Sequence, residues 1–106
     1  KLLNAATAIS GSGPAYVFFF MNAMIKAAVE LGFNDSEAEL LVNQTFMGSV
    51  AIQNSYSLSN EEWIKKVASK GGTTESALQV FGKGLLKDVI VAAVKAANKR
   101  AEELGK

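Results

Sequence analysis

The chain has 106 residues, enough for one small domain with a modest core. Its 11 Lys+Arg nearly balance 10 Asp+Glu, so a net charge of +1 gives no electrostatic case for a nucleic-acid or membrane-surface partner. Cysteine and histidine are both absent, which removes thiol nucleophiles, disulfides, imidazole bases and nearly every zinc site; it also fits a reducing, cytoplasmic compartment.

No signal-peptide pattern precedes the first helix and the chain opens on Lys1, so a piece of a longer protein is expected. Residues 1–9 read as a short helical lead-in, which Ser10-Gly11-Ser12-Gly13-Pro14 is expected to break. Pro14 suits the first helical position, where its fixed φ is preset and its missing N–H is not needed. Gly11-Ser12-Gly13 is no dinucleotide fingerprint, because Tyr16 holds the third glycine position and no strand precedes it.

Residues 14–31 form the most apolar element. Its strongly polar members, Asn22, Lys26 and Glu30, fall four apart on one narrow stripe. The rest of the circumference carries Tyr16, Val17, Phe18, Phe19, Phe20, Met21, Met24, Ile25, Val29 and Leu31. The uninterrupted apolar run ends at Asn22, short of the roughly 20 residues a membrane span needs. No membrane partner is expected. A helix this apolar must be surrounded by other helices, and in so short a chain some of them are expected from a second copy.

Gly32 predicts the end of that helix. Ser36 and Glu39 predict a capping box opening a helix to about Ser55, with Ala38, Leu41, Val42, Thr45, Phe46, Val50 and Ile52 on its apolar face. Ser59 and Glu62 predict another, starting a short helix through Trp63, Ile64 and Val67. Then comes Ser69-Lys70-Gly71-Gly72-Thr73-Thr74. The glycines can take positive φ and leave room for close approach to the backbone. Thr73 or Thr74 can cap the next helix. Local physics leaves two readings open: a plain capped corner, or an anion site built from bare amides at a helix N-terminus.

Residues 74–81 predict two turns with Ala77, Leu78 and Phe81 inward. Gly82-Lys83-Gly84 predicts a break and lacks the spacing of a phosphate-binding loop. The last helix, residues 85–104, carries a seam of Leu86, Ile90, Ala93, Ala97, Ala101 and Leu104. No strand alternation is found. The fold class is all-α, a helical bundle expected to interleave with a second copy.

Two stretches together, Ala8-Ile9-Ser10-Gly11-Ser12-Gly13-Pro14-Ala15-Tyr16-Val17-Phe18 and Val67-Ala68-Ser69-Lys70-Gly71-Gly72-Thr73-Thr74-Glu75-Ser76-Ala77-Leu78, resemble the C-terminal dimerisation domain of the pyrroline-5-carboxylate reductase family. The likeness covers essentially the whole chain, with both motifs in order. It implies an enzyme that reduces the cyclic imine Δ1-pyrroline-5-carboxylate to proline with NADPH or NADH. The cofactor would be held mainly by an N-terminal Rossmann domain not contained in residues 1–106. It implies a homodimer or higher homo-oligomer, each site pairing one chain's Rossmann domain with the partner's loop.

By that resemblance the loop from Ser69 through Gly71, Gly72 and Thr73 holds the substrate carboxylate by hydroxyl and backbone N–H. Thr74 faces the ring nitrogen and assists its protonation. No metal is implied, since the hydride comes from the cofactor and the protein's task is orientation. Family members usually carry Ser-Pro before the two glycines. Lys70 in its place frees φ and adds a cation. Two alternatives stay open: a non-catalytic dimerisation module of a reductase-like paralogue, and an unrelated helical interaction domain. A strand followed by Gly-x-Gly-x-x-Gly upstream of Lys1 would favour the enzyme.

Overall fold

The computed structural model describes residues 2–69 and 72–105. Among them every regular element is helical, as expected: α1 (Leu3–Ala6), a π-turn (Thr7–Gly11), α2 (Gly13–Glu30), α3 (Asp35–Ser55), α4 (Asn60–Ala68), α5 (Gly72–Lys83) and α6 (Leu86–Leu104). The chain divides into two units, residues 1–16 with 71–106, and residues 17–70.

In the first unit, α6 packs against α1, the π-turn and α5. Its small seam residues make this possible: Ala97 and Ala101 are half-buried, and Ala8 of the π-turn is 1% exposed. The seam does not close along its whole length, since Ile90 and Leu104 stay exposed. Ala77, Leu78 and Phe81 are not inward as expected; all three are exposed on the single chain, because α6 covers their face only in part.

In the second unit, α2 turns a stripe of Phe20, Met21, Met24, Ile25 and Ala28 partly inward, at helical spacing. Phe20 meets Phe46 of α3 edge to face, with ring centroids 6.0 Å apart. On α3, Ala38, Val42 and Phe46 recur every four residues; the first two are buried and the third half-buried. Tyr56 and Trp63 make a second edge contact, at 5.9 Å, where the chain turns from α3 into α4.

The helix ends show which local signals the chain obeys. Gly32 takes φ 118° and closes α2. Its N–H donates to the Val29 carbonyl and that of Phe33 to the Ala28 carbonyl, the paired bonds of a Schellman cap. Ser59 and Glu62 form the expected capping box. The box of α3 lies two residues earlier than expected, on Asn34 and Glu37 rather than Ser36 and Glu39. Asn34 follows directly on the Schellman cap, so its side chain reaches the first free amides before Ser36 can.

Two expected breaks are also displaced. Ser10–Pro14 does not end the helix: the backbone widens into a π-turn and continues, giving one helical run from Leu3 to Glu30. That run has 28 residues with a window of mean hydropathy 1.2, long and apolar enough by length and composition to cross a bilayer. The expectation that the apolar stretch is too short is thereby corrected. Between α5 and α6 the left-handed position is taken by Leu85, at φ 56°, and not by Gly82 or Gly84 before it.

Candidate functional site

The corner that the sequence singles out is reached from two sides. On one, α4 ends at Ser69, whose backbone stays right-handed and whose N–H donates to the Lys65 carbonyl. The Ser69 hydroxyl donates to the Lys66 carbonyl at 3.0 Å. It therefore caps its own helix, and must release Lys66 before it can donate to anything else. Lys65 and Lys66 fill the last turn of α4, where cations complement the helix dipole. Lys70 and Gly71 lie outside the described residues.

On the other side, α5 already begins at Gly72. Thr73 and Thr74 are therefore not N-caps, as the sequence suggested, but members of the first turn. The reason is register: the glycine enters the helix, moving both threonines one or two places inward. In that turn the amides of Gly72, Thr73 and Thr74 lack partners four residues back along the helix. Gly72 and Thr73 are exposed and Thr74 is half-buried. Among the described residues no side chain or backbone group pairs with either threonine hydroxyl. Nothing lies within 4 Å of where a Cβ on Gly72 would stand, so the backbone there is open to approach.

Three amides, two hydroxyls and the positive end of a 12-residue helix thus gather in one turn. That set favours a small anion by charge and hydrogen bonding together. Glu75, in the same turn, opposes a bound anion. It sits in plain view beside Thr74 in the sequence, but its cost becomes legible only once the helix start is known.

No group of three or more His, Cys, Asp or Glu side chains that could hold a metal occurs among the described residues. Two open grooves lie elsewhere. One is bounded by Asn4, Lys99, Glu102, Glu103 and Gly105 in the first unit. The other is an apolar trough between α3 and α4, including Val50, Trp63, Ile64 and Val67. Neither is lined by a residue that the sequence put forward. Sequence reasoning placed Tyr16 on an apolar circumference and gave its hydroxyl no partner; that hydroxyl donates to the Ala8 carbonyl at 2.9 Å.

Comparison with known proteins extends the picture from the corner to the whole chain. The family model for pyrroline-5-carboxylate reductase dimerisation matches residues 1–104. A pyrroline-5-carboxylate reductase of Vibrio alginolyticus is 40% identical over 105 residues, covering 98% of this chain and 39% of the relative. The crystal structure of Plasmodium falciparum pyrroline carboxylate reductase with NADP bound superposes with a TM-score of 0.95 at 33% identity, over 99% of this chain and 40% of that one. The Coxiella burnetii pyrroline-5-carboxylate reductase gives 0.93 at 40% identity, over 99% of this chain and 39% of that one. This chain therefore spans about two fifths of the length of these relatives, and its all-helical fold matches the covered part of the two solved structures. By sequence and by fold, the chain belongs to the pyrroline-5-carboxylate reductase dimerisation-domain family.

Proposed function

We propose that this chain is the C-terminal dimerisation and substrate-binding part of an NAD(P)H-dependent pyrroline-5-carboxylate reductase, acting in the cytoplasm to make proline. An N-terminal Rossmann domain in the same parent protein would hold the cofactor. A dinucleotide site of that kind needs a strand leading into a glycine turn, and the described residues hold no strand. The cofactor supplies the hydride when bound. The residues here do the rest.

The observation that carries this reading is the first turn of α5, where the helix itself leaves the amides of Gly72, Thr73 and Thr74 unpaired and the two threonine hydroxyls have no partner among the described residues. A substrate carboxylate seats on those amides, with Ser69 and Gly71 as the flanking contacts. Holding one end of a small ring fixes the angle of the other, which is the entropy saving that a hydride transfer requires. The Thr74 hydroxyl would then stand at the ring nitrogen as hydrogen-bond donor, passing on a proton that comes from solvent water and keeping its own O–H at the end. Interleaving of α2 with the helices of a second copy is part of the same proposal. It supplies the cover that the family's dimerisation role implies, from protein and not from lipid.

The test uses the full-length protein with Δ1-pyrroline-5-carboxylate and NADPH or NADH, with proline as the measured product. Wild type should turn over with at least one cofactor. Charge-assisted hydrogen bonds contribute about 1.5–3 kcal/mol, so Thr74→Ala should lower kcat/KM roughly 10- to 100-fold. No turnover by wild type contradicts the activity. An unchanged variant removes Thr74 from the site.

A further inference from the structure

The π-turn at Thr7–Gly11 inserts one extra residue into an otherwise continuous helix, and such insertions need a local reason to persist. In α-helical register the Ser12 N–H would serve the Ala8 carbonyl, four residues back. Here it donates instead to the Thr7 carbonyl, at 2.9 Å. Ala8 is 1% exposed, so water cannot replace the lost donor, and an unpaired buried carbonyl is costly. The Tyr16 hydroxyl takes that place, donating to the Ala8 carbonyl across the turn. Pro14 adds to the effect, having no N–H with which to restore the ladder.

We propose that Tyr16 is a positioning residue whose hydroxyl, by holding the Ala8 carbonyl, locks the π-turn and with it the register in which α1 packs on α6. In the register observed Ala8 is the buried member of the π-turn, while its bulkier neighbours Thr7 and Ile9 are exposed. Only the alanine permits the close approach observed between α6 and the π-turn.

The direct test is a crystal structure of Tyr16→Phe in the full-length protein, a change that removes one oxygen and keeps the ring. The Ser12 N–H should return to the Ala8 carbonyl and the π-turn should become α-helix; a π-turn unchanged in the variant overturns the proposal. A second measurement asks whether the hydroxyl matters only because the extra residue is there. Deleting Gly11 makes the Ser12-to-Thr7 bond an ordinary α-helical one and brings the Gly13 N–H to Ala8. Tyr16→Phe should lower Tm by about 2–4 °C in the intact chain, one hydrogen bond's worth, and leave it unchanged in the deletion background. Equal losses in both backgrounds would show that the hydroxyl has no connection with the turn.

Discussion

Glu62 shows how much one exposed side chain can depend on its helix position. The Ser59 backbone N–H and then the Ser59 hydroxyl hydrogen-bond its carboxylate and hold its pKa below the ordinary glutamate value; nearby Lys66 adds to this, and slight desolvation works against it. A carboxylate whose pKa is lower folded than unfolded stabilises the fold above its unfolded pKa. That contribution is lost as pH falls through the folded value. Glu62→Gln keeps a side chain able to complete the capping box but cannot ionise. In urea unfolding, wild type should exceed Glu62→Gln at about pH 7, and the gap should narrow as pH falls below the ordinary glutamate range. A gap independent of pH would mean that the carboxylate's charge plays no part.

At the scale of elements, the sequence was legible wherever one signal stood alone. Gly32 and the Ser59–Glu62 pair had no competitors, and both act as their types predict. Where two signals overlapped, pattern could not choose between them. Asn34-x-x-Glu37 and Ser36-x-x-Glu39 are equally good boxes, and the bonds at the end of α2 decide for the first. Asn34→Ala should therefore destabilise by about 1 kcal/mol, while Ser36→Ala should stay within about 0.5 kcal/mol. Chemical denaturation of both variants checks this, and the reverse order would restore the later start. The glycine runs misled for a related reason. Ser10 to Pro14 looks like a stop, but a π-turn lets the helix pass through. Gly82 and Gly84 both precede the left-handed residue, which is Leu85. At the candidate site, the residue types were readable and the helix start was not, so Thr73 and Thr74 sit inside α5 and not at its cap.

Taken as a whole molecule, the single chain is under-covered. Among the described residues only Ala8, Ala38 and Val42 are buried apolar side chains, and no large side chain is fully enclosed. Phe18, Phe19 and Leu31 of the α2 stretch remain 64%, 79% and 82% exposed. The apolar circumference of residues 14–31 already pointed this way in the sequence, since it needs cover on nearly all sides. The most direct test is sedimentation of the 106-residue chain at micromolar concentration. A dimer or larger assembly is the expected result, and a stable, well-folded monomer would contradict the account.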